Sequence, residues 1–213
     1  MIIDVWSDVV CPWCYIGKRR LEKALSTFEH KEEITIRHRA FQLQPDIETT
    51  VATQELLATK YNLAPSAVKE MQANVCAIAD GEGLCYDLDN TLSGNTFDAH
   101  RLLLWAATIG KQDQLLEAMY SSYFEKSKPL FSHADLVSVC LSIGLDADVV
   151  EDIVLSGKFT EEVNADRTLA SQLGATGVPF FVVDMKYGIS GAQPLEAFTQ
   201  TLESAWKERA GVS

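Results

Sequence analysis

The sequence predicts an α/β fold in which a strand–helix–strand unit and a strand–strand–helix unit are separated by a long all-helical insertion between the second and third strands. Three observations predict it. Strand-like apolar runs occur in the first 45 residues and again after residue 177, and residues 53–173 carry helical spacing instead. Glycine or proline closes nearly every helical run.

Residues 2–6, Ile2-Ile3-Asp4-Val5-Trp6, read as the first strand. Residues 12–28 place Ile16, Leu21, Ala24, Leu25 and Phe28 at helical spacing, and residues 34–41 alternate apolar and polar side chains until Pro45 and Asp46 stop the run. Such a unit implies parallel neighbours with a right-handed crossover. Helices are then expected over 53–61, 65–79, 97–109, 112–126, 133–143, 147–155 and 160–173, with stops at Gly81, Gly110, Pro129, Gly144, Gly157 and Gly174. Residues 178–184 form a compact β-branched and aromatic run, residues 185–190 its hairpin partner, and Pro194 opens a last helix running through Trp206. The predicted organisation is a discontinuous domain of residues 1–50 and 175–213, with residues 51–174 as an inserted helical domain.

A net charge of −12 argues against a nucleic-acid or anionic-membrane surface, because phosphates require clustered Lys and Arg. The chain begins strand-like directly after its methionine, and no apolar run reaches the ~18 residues of a membrane span. A soluble, cytoplasmic protein is expected, as a monomer or a homodimer. Five cysteines, an odd count, do not resemble a secreted disulfide framework. Cys76 and Cys85 flank Gly81-Glu82-Gly83 and are open to three readings: a second redox pair, a structural bridge or buried apolar residues. Cys140, inside an apolar run, reads as core.

Cys11-Pro12-Trp13-Cys14 stands where the first strand gives way to the first helix. A helix beginning at Pro12 puts both sulfurs on one face, within reach of a disulfide. Proline suits that first turn, since its ring fixes a helical φ and its missing N–H would have had no partner. The unpaired N–H groups and positive dipole end favour thiolate at Cys11, the nucleophile of thiol–disulfide exchange. A zinc half-site and an inert structural bridge are the competing readings. No second Cys-x-x-Cys or His pair follows, so no metal is expected, and a bridge over so short a loop removes little unfolded-state entropy. Redox chemistry is the preferred reading: Cys11 attacks and Cys14 resolves.

Four motifs in order, Ser7-Asp8-Val9-Val10-Cys11-Pro12-Trp13-Cys14, Phe41-Gln42-Leu43-Gln44-Pro45, Asn95-Thr96-Phe97-Asp98-Ala99-His100-Arg101 and Gly177-Val178-Pro179-Phe180-Phe181, make the chain resemble the thioredoxin superfamily. More narrowly it resembles DsbA-like oxidoreductases of the FrnE type, which are similar to 2-hydroxychromene-2-carboxylate isomerases and kappa-class glutathione transferases. The resemblance implies a thioredoxin fold, a cis Val178–Pro179 bond beside the dithiol, and strand-like pairing of an extended substrate with the Val178 backbone. Pro12, Trp13, Val178 and Pro179 are thus the expected substrate-binding residues. Two departures matter. Kappa transferases and chromene isomerases carry serine where this chain has Cys11, and thioredoxins place a buried acid where it has Val5. Whether Asp4 or Asp8 replaces that acid is open.

Candidate accessory residues are His100, expected to face the active-site groove and assist proton transfer, and Ser190 and Gln193, which occupy the place where kappa-like relatives hold a glutathione γ-glutamyl group with an acid. Asp98 and Arg101 are read as an exposed ion pair. The dithiol needs no bound cofactor, and glutathione or another low-molecular-weight thiol is a candidate co-substrate. The leading function is thiol–disulfide oxidoreductase or isomerase on disulfide- or thiol-containing proteins or a small thiol. The alternatives are a glutathione-dependent isomerase or transferase of an aromatic or polyketide-like metabolite, and a redox-sensing adaptor.

Overall fold

In the computed structural model, which describes residues 1–211, the N-terminal apolar run becomes strand β1 (Ile2–Ser7), followed by α1 (Pro12–Thr27) and β2 (Thr35–Ala40). The last two residues of the expected 175–213 segment lie outside the described residues. A short strand β3 (Val51–Ala52) leads into α2 (Thr53–Tyr61) and α3 (Pro65–Gly81). Strand β4 (Leu92–Ser93) then precedes α4 (Phe97–Thr108), α5 (Gln112–Tyr120), α6 (His133–Leu141), α7 (Ala147–Ser156) and α8 (Thr160–Gln172). The chain returns to β5 (Phe180–Val183), β6 (Tyr187–Ser190) and α9 (Leu195–Arg209). The sheet runs β2-β1-β5-β6, with β1 parallel to β2 and antiparallel to β5.

Period-two alternation sorts this sheet into two faces. Ile3 and Val5 of β1 and Phe181 and Val183 of β5 join Leu21, Ala24, Phe198 and Leu202 in a core roofed by α1 and α9. Trp6, Phe180 and Val182 point the other way, onto Ala170 of α8. Asp4 shares that second face and is fully buried, its charge met at 2.8 Å by both Arg37 and Arg39 of β2. Asp4 is therefore an anchor within the sheet, and Asp166 of α8 completes it by accepting from Arg39 and from the Ala40 N–H, both at 2.9 Å. The third and largest core lies among the helices and reaches Cys11, Cys14, Tyr15 and Ile16 at the start of α1.

Three local expectations are corrected. A two-stranded ladder, Val51 with Ser93 and Ala52 with Leu92, interrupts the helical stretch; two residues per strand are too few to show alternation. The single helix expected over 112–126 ends at Tyr120 and continues as one π-helical turn over Ser121–Glu125, with Tyr120, Tyr123 and Phe124 all buried. The Asp98–Arg101 pair is not exposed at Arg101, which is buried and donates to the carbonyls of Ile153, Val154 and Lys158 at the end of α7, satisfying groups that a helix C-terminus leaves open.

Gly17 sets how closely α1 approaches β5: a Cβ there would lie 3.0 Å from Pro179 Cγ and 3.1 Å from Phe181 Cζ. Gly17→Ala is expected to lower stability by about 1–2 kcal/mol, overpacking outweighing the gain in helix propensity. Urea unfolding checks this, and an unchanged or raised midpoint would show that the contact yields. Glu82, just past α3, binds Arg20 at 2.7 Å and Lys23 at 2.5 Å on α1. Burial pushes its carboxyl up, but hydrogen bonds from Lys23 and Arg20 outweigh it and hold the group below its ordinary 4.5. A carboxyl lowered by folding stabilises above its unfolded value and loses that contribution as pH falls through its folded value. Wild type should therefore lose stability relative to Glu82→Gln as pH drops from about 5 to 3, as read by urea midpoints across that range.

Candidate active site

Cys11 is the N-cap of α1, with extended backbone (φ −93°, ψ 110°), and Pro12 occupies the first helical position. The Cys11 thiol donates to the Val178 carbonyl at 3.5 Å, so segments 167 residues apart meet at the sulfur. The Val178–Pro179 bond is cis, and the Pro179 carbonyl accepts the Gly191 N–H at 2.8 Å. The Tyr86 hydroxyl holds the Pro12 carbonyl at 2.8 Å, and Trp13 stands at the rim, 37% exposed. Cys14 follows one turn into the helix. Its thiol is pushed well above the ordinary range, first by burial and then by the neighbouring Cys11 sulfur, so it stays protonated at neutral pH.

Neither sulfur is open to bulk solvent: Cys11 is 3% exposed and Cys14 2%. What separates them is the cleft. Cys11 lines a cavity of about 550 Å³, and Cys14 does not. Val10 and Trp13 beside the dithiol, Leu43 and Gln44 after β2, and Gly177 and Val178 before β5 form one side; Leu56 and Leu57 of α2, Met71 and Val75 of α3 and the pair Tyr123–Phe124 form the other. The overhanging walls keep bulk solvent from the sulfur without closing the cavity.

Behind Cys14 the surroundings turn polar. Asp8 is fully buried; one carboxylate oxygen accepts the Leu43 N–H at 2.7 Å and the other lies 3.3 Å from His100 Nε2. His100, 2% exposed on α4, lines no part of the groove it was expected to face. Asn95 joins two of the sequence motifs, its Oδ1 accepting from Gln42 Nε2 and from the Phe97 N–H, each at 2.9 Å. Ser190 and Gln193 are exposed and line no part of the cleft, and the Gln193 amide is engaged by the Ser190 carbonyl at 2.8 Å.

Sequence reading missed the aromatic floor under the dithiol: Tyr15 stacks on Tyr120 with centroids 4.8 Å apart, and Tyr86 on Phe124 at the same spacing. Residues 120, 123 and 124 do recur at helical spacing, but nothing local marks Tyr86. All five cysteines are free; Cys76 is half-buried, its thiol 3.9 Å from the Tyr86 carbonyl, and Cys85 is exposed. Among the described residues no group of three or more His, Cys, Asp or Glu side chains is gathered as a metal site requires. Cys140 is pushed up to about 12 by burial. Alkylation at pH 7, mapped by peptide mass, should label Cys11 and Cys85 at least about 10-fold faster than Cys14 and Cys140, because Cys11 opens on the cleft and Cys85 on solvent while burial keeps Cys14 and Cys140 as thiols; equal, slow labelling at Cys11 and Cys14 would contradict this geometry.

Among solved structures the chain is similar to one described as a probable DsbA oxidoreductase from Streptomyces coelicolor, at 42% identity and a TM-score of 0.94, over 98% of this chain and 91% of that one. A 2-hydroxychromene-2-carboxylate isomerase shares the fold at 16% identity and a TM-score of 0.73, over 100% of both chains. So does the cytosolic disulfide reductase DsbM from Pseudomonas aeruginosa, at 15% identity and a TM-score of 0.66, over 97% of this chain and 100% of that one. No curated protein sequence gives a match. The family model for the DsbA-like thioredoxin domain matches residues 2–203, spanning both sheet segments and all the helices between them, and the chain belongs to that family.

Proposed function

We propose that the protein is a dithiol thiol–disulfide oxidoreductase whose nucleophile is Cys11 and whose resolving residue is Cys14, acting on disulfides of proteins or small thiols. The observation that carries this reading is the Cys11 sulfur at the floor of a largely apolar cleft, 3.5 Å from the Val178 carbonyl, with a protonated Cys14 one turn behind. An extended substrate segment seats beside the Val178 backbone by strand addition, and its apolar side chains enter the cleft past Pro12 and Trp13. The Cys11 thiolate attacks one substrate sulfur; a Cys11–substrate disulfide forms and the other substrate sulfur leaves as thiolate. Cys14 then attacks Cys11 and expels the second substrate thiolate. The substrate has gained two electrons and the enzyme holds Cys11–Cys14 as a disulfide. Glutathione or another small thiol returns the enzyme to its dithiol form, in a cytoplasmic setting, and no bound cofactor is needed.

One observation favours a second reading. A cleft of about 550 Å³ against Cys11 suits a small aromatic metabolite as well as a peptide side chain, which fits a glutathione-dependent isomerase or transferase. The Cys14→Ser variant separates the two. For the dithiol enzyme it should accumulate Cys11 mixed disulfides, detected as adducts lost on reduction, while reductase turnover falls at least about 100-fold; Cys11→Ser should form none. Glutathione-dependent isomerisation that persists undiminished in Cys14→Ser would favour the second reading instead.

A further inference from the structure

The resolving step leaves a proton with nowhere obvious to go. Cys14 is sealed from the cleft, yet its thiol must lose a proton before its sulfur can attack. The charges that act on it are Cys11 and Asp8, whose backbone carbonyl accepts the Cys11 N–H at 3.1 Å. Tyr120 is near too, with a buried hydroxyl, but burial drives that phenol far up and it cannot take a proton as phenolate. The Asp8 carboxylate is left, and it is already joined to His100.

From His100 the polar groups continue. His100, Ser7 and His38 line one small pocket of about 10 Å³, which is about the room a single water centre requires. His38 is nearly buried and its Nδ1 has no partner among the described residues, while its Nε2 lies 3.2 Å from the Asp113 carboxylate. Gln112 fixes the His38 backbone on both sides, accepting its N–H at 3.3 Å and donating to its carbonyl at 2.9 Å. The Asp113 side chain is 67% exposed. His38 and then Lys18 hold its carboxyl below the ordinary range, so it is a charged terminus in contact with solvent.

We propose that Asp8, His100, a water in the adjoining cavity, His38 and Asp113 form a proton path from the back of Cys14 to the surface that does not pass through the substrate cleft. The proposal rests on the dithiol reading above. In the step it serves, the Cys14 S–H pair becomes the new Cys11–Cys14 bond, the Cys11–substrate bond breaks with its pair leaving on the substrate thiolate, and the proton goes to the Asp8–His100 pair. Reduction of the enzyme runs the path inward. A substrate filling the cleft would block any exit by the front, and a rear path lets resolution proceed while it is seated.

The other charged groups facing these residues are Asp166 of α8 and Arg39 of β2 around His100, and Lys18 of α1, 3.1 Å from Asp113, beside His38. Arg39 is itself bound by Asp4 and Asp166.

The test mixes reduced Cys76→Ser/Cys85→Ser protein with one equivalent of dithiobis-nitrobenzoate, whose two thiolates are released in turn. The first release reads attack by Cys11, and the second reads resolution by Cys14. His100→Gln, His38→Gln and the surface variant Asp113→Asn should keep the first rate. The histidine variants should slow the second at least about 10-fold near pH 7, with recovery as pH rises or imidazole is added, and Asp113→Asn should slow it less and shift its pH midpoint. A second phase with the wild-type rate and pH profile in His38→Gln and Asp113→Asn overturns the path and leaves the dithiol reading intact. Absence of any second phase in the parent protein overturns both.

Discussion

Everything at the site depends on how closely the first turn of α1 sits against the loop before β5. Cys11 touches the Val178 carbonyl, Gly17 lies so close to the Pro179 ring that a methyl group there would press on it at 3.0 Å, and the Pro179 carbonyl accepts the Gly191 N–H. The contact is possible because β1 and β5 are neighbours in the sheet, which brings the chain leaving β1 and the chain entering β5 to the same end. Interiors are dense enough that a shift of a few tenths of an ångström in α1 would be felt at the sulfur.

The dithiol divides two environments. In front of Cys11 lies an apolar cleft built from both parts of the chain, with α2 and α3 supplying one wall and the loops of the sheet the other. Behind Cys14 lie Asp8, His100, Ser7 and His38, most of them buried and hydrogen-bonded. Burying a carboxylate is costly unless partners meet it, and here the Leu43 N–H and His100 do so. Such an arrangement suits a residue whose sulfur must stay a thiol until it is called on to attack, because the low-dielectric surroundings hold the proton while polar groups stand ready to accept it.

The helical insertion is tied to the sheet at several points. Asp166 of α8 accepts from Arg39 and the Ala40 N–H on β2 and its carbonyl takes the Trp6 indole N–H, while Glu82 after α3 grips Arg20 and Lys23 of α1. Inside the insertion, Arg101 closes the end of α7 from a neighbouring helix. These ties hold the two walls of the cleft at a set separation.

Much of this was legible in the sequence. The alternation of Ile3 and Val5 with Asp4 and Trp6, the helical spacing after Pro12 and the punctuating glycines determined the order of the main strands and helices, since they express backbone geometry and local burial, but not the two-residue β3–β4 ladder or the π-helical turn after α5. The Cys-Pro-Trp-Cys tetrad at a strand–helix junction pointed to the dithiol chemistry proposed above, because three-residue spacing on a helix is itself a distance. Tertiary structure alone decided the rest: that Cys11 is roofed and not exposed, that His100 meets Asp8 and lines no part of the groove, that Arg101 is buried, and that His38 meets Asp113. Each of those outcomes is set by partners 50 or more residues away in sequence, and no local pattern encodes which side of a helix a distant carboxylate will approach.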